Sequence, residues 1–129
     1  MKILGIGIDI VNNLRIKSSL KKTKTFKQKI FSDDEIKYCN KKKIPFSCYA
    51  KRFAAKEAFS KALGTGISNG LNFKEIEIFN NKRGKPSIII SGKSKKIVNK
   101  VLKTNLYDIS LSISDDKPFA IATVLITFK

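Results

Sequence analysis

The sequence predicts a single α+β domain in which a mainly antiparallel sheet packs against one long central helix. Three stretches predict it. Arg52-Phe53-Ala54-Ala55-Lys56-Glu57-Ala58-Phe59-Ser60-Lys61-Ala62-Leu63 reads as a helix and runs into Gly64-Thr65-Gly66, a glycine stop. Ile109, Leu111 and Ile113 alternate with Ser110, Ser112 and Ser114, the period-two pattern of a half-buried strand. Asp115-Asp116-Lys117-Pro118 then turns the chain into a last strand, Phe119 to Phe128, apolar on both faces and so suited to subunit contact. At 129 residues the chain, 1–129, is expected to form one domain, with a modest core that gains from oligomerisation.

The remaining elements follow in order. Ile3 to Val11 reads as a buried strand, apolar apart from Gly5, Gly7 and Asp9; its glycines imply close approach of another backbone or a ligand. Asn12 or Asn13 caps a helix through Leu14, Ile16 and Leu20, with Arg15, Lys17, Lys21 and Lys22 on its polar side. A short segment around Phe26 to Phe31 follows. Ser32-Asp33-Asp34-Glu35 is a capping box for a helix to about Asn40, and Lys41-Lys42-Lys43 is its solvated end. The central helix starts at Pro45 or Ser47. Beyond Gly66 a loop rich in Gly, Ser and Asn reaches Asn72. Glu75 to Phe79 and Ser87 to Ser91 form a strand pair around the turn 80–84. Ser94 to Lys103 is an amphipathic helix with Ile97, Val98, Val101 and Leu102 inward.

Composition narrows the function. There is no apolar run near the length of a membrane span, and the first residues lack the apolar core and cleavage site of a signal peptide. Cys39 and Cys48 have no metal-ligand spacing, and are expected to be free reduced thiols of a cytoplasmic protein. A net charge of +17 suits nucleic acid, an anionic membrane surface or an acidic protein partner. Yet the only arginines are Arg15, Arg52 and Arg83, and the interleaved aromatics of a base-stacking surface are missing, which argues against nucleic acid. With no histidine in the chain, a general base must be a carboxylate, a lysine or a metal-bound water.

Most of the ten acidic residues have simple structural readings. Asp33, Asp34 and Glu35 belong to a helix start, Glu75 and Glu77 to a strand edge, and Asp115 and Asp116 to a turn. Asp9 interrupts an apolar strand beside two glycines: it is either a cap for the next helix or a ligand. Glu57 lies beside the small-residue seam of Ala54, Ala58 and Ala62, and is either the i,i+4 partner of Lys61 or a ligand. Arg52, Lys56 and Lys61 are either solvated helix residues or phosphate ligands. Asp9 and Glu57 meeting where strand and helix pack, flanked by cations, would suit magnesium, which takes one or two carboxylates and completes its shell with phosphate oxygens.

Taken together, these stretches resemble a known family. Gly5-Ile6-Gly7-Ile8-Asp9-Ile10-Val11 with Arg15-Ile16, and Arg52 through Lys61-Ala62 with Gly64-Thr65-Gly66, resemble the two signatures of the small holo-acyl-carrier-protein synthases, a family of 4′-phosphopantetheinyl transferases. Gly84-Lys85-Pro86 is similar to the family's turn near the adenine end of coenzyme A, and the Ser110–Ser114 run with Phe119-Ala120 to its closing strands. The resemblance implies a 4′-phosphopantetheinyl transferase-like fold, trimeric, with sites at subunit interfaces. It implies that Asp9 and Glu57 hold magnesium, and that Lys61 lies near the diphosphate of coenzyme A. Arg52, the Gly64, Thr65 and Gly66 loop and the Gly84, Lys85 and Pro86 turn would line the coenzyme A groove, and Arg15 would grip an acidic acyl carrier protein. The reaction implied moves the 4′-phosphopantetheine arm to a carrier serine in support of fatty acid biosynthesis. With no histidine, the proton acceptor is expected to be a metal-bound water or a nearby carboxylate, Glu57 before Asp9. Asp115 and Ser110 stand where that family often has histidine.

Overall fold

A computed structural model describes residues 1–68 and 70–129, so Asn69, inside the predicted loop to Asn72, lies outside the described residues. In chain order the elements are β1 (Ile3–Asn12), α1 (Asn13–Lys22), α2 (Lys24–Ile30), α3 (Asp33–Asn40) and α4 (Pro45–Leu63). A 3-10 turn (Phe73–Glu75), β2 (Ile76–Asn80), β3 (Pro86–Ile90), α5 (Gly92–Leu102), β4 (Tyr107–Asp116) and β5 (Phe119–Phe128) complete the chain. The order β1-β5-β4 makes an antiparallel sheet, and β2 and β3 form a separate antiparallel hairpin.

Helix α4 lies across β1 and β5. Pro45 occupies its first turn, where the missing N–H costs nothing, and Gly64 ends it at φ 88°. Ala54, Ala58 and Ala62 are buried on its inner face. They meet the glycines of β1: a Cβ on Gly5 would run into the Ala62 carbonyl, and one on Gly7 into the Ala58 carbonyl. The glycines in β1 therefore serve helix–strand contact, one of the two roles the sequence left open. Asp9 follows at the same period of two, so its side chain emerges on the face covered by α4.

The opposite face of the sheet is open. Ile6, Ile8 and Ile10 are 68, 60 and 59% exposed, which corrects the reading of β1 as buried throughout. They pair across to Leu125, Thr123 and Ile121 of β5. The inner residues Ala120, Ala122, Val124 and Ile126 are fully buried. Only one face of this apolar sheet is thus covered within the chain.

Several local expectations are borne out and several are corrected. The cap of α1 is Asn12, whose Oδ1 accepts from Leu14 N at 2.9 Å. The Ser32–Glu35 capping box is present. Cys39 and Cys48 are not free thiols but a disulfide pair; the turn 41–44 folds the end of α3 onto the start of α4 and leaves their Cα atoms 5.4 Å apart. Glu75 is no strand-edge residue: its carboxylate accepts from Lys93 N, Ser94 N and Ser94 Oγ, closing the start of α5. Glu77 accepts from the Ser32 hydroxyl. Asp115 lies on β4 rather than in the turn.

The largest departure is Lys56, neither solvated nor free for a ligand. It is fully buried, and its ammonium donates to Glu35 Oε1 at 2.7 Å and to the carbonyls of Phe73 and Ile76 at 2.8 Å. Glu35, also buried, accepts from Ser32 N and, through its other oxygen, from Ile78 N. Every donor of the ammonium is used, so the pair binds α3, α4 and β2 into one block. Burial pushes the Lys56 pKa down, and Glu35 opposes that push. Removing one member leaves the other charged and dry. Lys56→Met is therefore expected to lose about 3–5 kcal/mol of stability in a denaturant melt. Adding Glu35→Gln should recover part of that loss, and no recovery would mean that the uncompensated charge is not the cause.

Candidate active site

β1 and the last turns of α4 bring Asp9 and Lys61 together, with Glu57 one turn before Lys61 and Arg15 on the neighbouring α1. Lys61 Nζ lies 3.0 Å from Asp9 Oδ1 and donates to the Ile8 carbonyl at 3.1 Å. The Glu57 carboxyl is pushed up, first by burial and next by the negative charge of Asp9, while Lys61 and Arg15 oppose the shift. Asp9 is not the helix cap, since Asn12 has that role, and Lys61 reaches across to Asp9 rather than back to Glu57. Neither carboxylate therefore has the simple structural role the sequence offered for it. Their placement follows from the seam: Gly5 and Gly7 admit the helix, and Asp9, two residues on, meets the stripe that carries Glu57 and Lys61.

The donor set fits magnesium. Asp9 and Glu57, the second pushed up by burial and by the charge of the first, supply the hard oxygen donors that such a cation takes from a protein. Among the described residues no group of three or more His, Cys, Asp or Glu side chains forms. A cation here would keep coordination positions for water or phosphate.

A second feature lies along α4 toward its start. Tyr38, Lys51, Arg52, Asn80, Gly84 and Pro86 line a cavity of about 500 Å³. Arg52 is not a solvated helix residue: it is 3% exposed and its guanidinium stacks 4.4 Å from the Tyr38 ring centre. It donates to the Ile78 carbonyl at 2.7 Å and to Asn80 Oδ1 at 2.9 Å. Asn80 Nδ2 in turn donates to the Gly84 carbonyl, so α4 is tied to the hairpin turn through one amide. Gly84 has φ 86°, and Asn81 Oδ1 accepts from Arg83 N and Lys85 N to close the turn. Among the described residues the Nε of Arg52 has no partner.

The predicted site residues therefore fall into two groups. Asp9, Arg15, Glu57 and Lys61 share one site, and the Gly64–Gly66 exit follows one turn after Lys61. Arg52, Gly84 and Pro86 share the cavity, whereas Gly64, Thr65, Gly66 and Lys85 are not among its walls. Arg52 and Lys61 are nine residues apart, about 13 Å along a helix. The single groove expected from sequence is not closed within one chain. Sequence reasoning missed Tyr38, Asn80, Lys51 and the Glu35–Lys56 pair. The i,i+4 spacing of Arg52 and Lys56 did place both on one stripe, without showing that the stripe faces β2.

Comparison with known proteins agrees with this geometry. The family model described as the 4′-phosphopantetheinyl transferase superfamily matches residues 5–124. The chain belongs to that superfamily. A holo-[acyl-carrier-protein] synthase of Pelagibacter ubique is 51% identical over 129 residues, the whole of both chains. The crystal structure of a holo-(acyl-carrier-protein) synthase from Bacillus anthracis, in complex with CoA (3′,5′-ADP), superposes with a TM-score of 0.82 at 37% identity, covering 100% of each chain. The Helicobacter pylori enzyme in complex with coenzyme A gives 0.80 at 38%, covering 95% of this chain and 99% of that one.

The raised Glu57 pKa makes a prediction about stability in the presence of a chelator. Between the ordinary carboxylate value and the raised folded value, the native state holds a proton that the unfolded chain has released. Stability should therefore fall as pH rises through that window. Glu57→Gln should remove this component, so the difference in Tm between variant and parent grows with pH from about 4.5 upward. A constant difference across the window would mean that the Glu57 carboxyl is not raised in the folded chain.

Proposed function

We propose that the chain is a holo-acyl-carrier-protein synthase acting in the cytoplasm in support of fatty acid biosynthesis. It transfers the 4′-phosphopantetheine arm of coenzyme A to a serine of an apo acyl carrier protein. The serine oxygen bonds to the β-phosphorus, the diphosphate bridge breaks, and adenosine 3′,5′-bisphosphate leaves. The observation that supports this reading is the Asp9–Lys61 pair, 3.0 Å apart, with Glu57 one turn before Lys61 on the same helix, on a chain of the transferase superfamily.

Asp9 and Glu57 would hold a magnesium ion, which supplies charge neutralisation at the diphosphate. Lys61 is long enough to leave Asp9 and turn its ammonium to a phosphate oxygen; its side chain is 54% exposed, so the change costs little packing. Glu57, rather than Asp9, would take the serine proton, directly or through a water. Arg15, whose charge acts on Glu57, lies on a helix rich in lysine that suits an acidic carrier. The cavity at Arg52 takes the nucleotide end. Mass spectrometry of an apo carrier incubated with coenzyme A, magnesium and the protein should show addition of the arm. Glu57→Gln should lower kcat by about 10²–10³. No mass gain with any divalent ion would overturn the reading.

The two halves of the site meet if neighbouring copies supply them, and the open face of Ile6, Ile8 and Ile10 supports a homotrimer. Such a face is unfavourable in water at about 25 cal/mol per Å² of apolar surface. Ile8→Lys should give a monomer by light scattering, with transfer activity lost; a trimer that persists would put the subunit contact elsewhere.

A further inference from the structure

The disulfide joins Cys39, near the end of α3, to Cys48, near the start of α4, across the turn 41–44. Cys39 is fully buried, whereas Cys48 is partly exposed and stands on the wall of the cavity at Arg52. The turn that the bond spans gives Lys42, Lys43 and Ile44 to the same wall. Among the described residues the other ties of this turn are slight. Ile44, just before α4, makes no side-chain cap. Lys42 N donates to the Cys39 carbonyl at 3.0 Å and Ser47 N to the Ile44 carbonyl at 3.2 Å, and the Lys42 ammonium lies 4.5 Å from the Tyr38 ring centre. One turn further along each helix a separate clasp holds α3 to α4: Tyr49 Oη donates to Asn40 Oδ1 at 2.7 Å. Loss of the disulfide therefore leaves the two helices fastened and frees the turn and the first residues of α4.

We propose that the Cys39–Cys48 pair is a redox switch that sets how tightly the protein holds its nucleotide. This rests on the transferase reading above, in which the cavity takes the nucleotide end. Disulfides inside cells are mostly transient and redox-sensing rather than structural. Cys39 has no exposed surface, so a dithiol reductant reaches the bond only at Cys48. Its thiolate attacks Cys48 Sγ and forms a mixed disulfide there; the protein's own S–S bond breaks, and its electron pair leaves on Cys39 Sγ, which takes a proton from water. The reductant's second thiolate then attacks the reductant sulfur of the mixed disulfide, closing a cyclic disulfide and expelling Cys48 Sγ, which is protonated in turn. Two electrons pass to the protein, and a disulfide oxidant runs the same steps backward. Once unbonded, the two sulfurs move apart. Cys39 is packed in the core, so the displacement falls on Cys48 and the first turn of α4. The oxidised pair holds Lys42, Lys43 and Ile44 on the wall before the ligand arrives; with the pair reduced, binding has to order that turn as well.

Calorimetric titration of the full chain, oxidised and reduced, with adenosine 3′,5′-bisphosphate tests this, because that ligand has no thiol of its own. The oxidised protein should bind it about fivefold more tightly. Cys48→Ser, which has no bond to form, should match the reduced protein whatever the redox buffer. By reciprocity, saturating bisphosphate should draw the pair toward the disulfide by the same factor, lowering its reduction potential by about 20 mV. Alkylation and mass spectrometry in a dithiothreitol redox buffer read that shift. Circular dichroism should show the reduced protein still folded at room temperature; unfolding there would overturn a local switch. Equal affinity of the two forms, or weaker binding by the oxidised one, overturns the switch, and transfer of the arm to an apo carrier would leave the transferase reading standing. If the bisphosphate binds neither form, the nucleotide assignment of the cavity falls and the switch falls with it.

Discussion

The molecule depends on the close approach of α4 to β1. Two glycines on the strand and an alanine stripe on the helix bring main chain against main chain, with no room for a β-carbon on Gly5 or Gly7. That contact fixes the height of the helix above the sheet. It also fixes where the next inward residue of the strand must emerge. Asp9 holds that position, and the stripe beside the alanines carries Glu57 and Lys61. Asp9 and Glu57 are thus placed by backbone packing rather than by their own mutual affinity, which at close range is repulsive.

A different face of α4 is fixed by different physics. Its Lys56 ammonium is dry and satisfied by Glu35 and two carbonyls, and Arg52 one turn earlier is tied to Asn80. A buried pair of this kind contributes little net stability against an apolar replacement, but it enforces one geometry because any displacement strands a charge. Here it locks the hairpin that carries Gly84 and Pro86 onto the helix. One helix therefore presents an apolar seam to the sheet and a polar clasp to the hairpin.

Much of this was legible in the sequence because it rests on local pattern. The period-two run at 109–114, the capping box at Ser32, the glycine stop at Gly64 and the Gly-x-Gly-x-Asp order of β1 each carry their own short-range reason. Asp9 was singled out because it interrupts an apolar strand, and Glu57 because it lies beside the alanine seam. What stayed hidden depended on tertiary partners. Lys56 reads as solvated until Glu35, 21 residues earlier, comes to face it. Cys39 and Cys48 lack any motif, and only the fold of the turn between two helices brings them together. Asp115 read as a turn residue because the strand's extension to Asp116 is set by pairing with β5, not by its own sequence.

Asn80 illustrates how little chemical latitude such a clasp leaves. Its oxygen takes a proton from the guanidinium and its nitrogen gives one to the turn carbonyl, so both ends of a single planar group are read at once. Aspartate keeps the acceptor but has no donor, leucine has the outline with neither, and serine is too short to span both neighbours. Natural drift at this position is therefore confined by bonding capacity rather than by volume, and a neutral-looking exchange there would unfasten the turn from the helix while leaving the core intact.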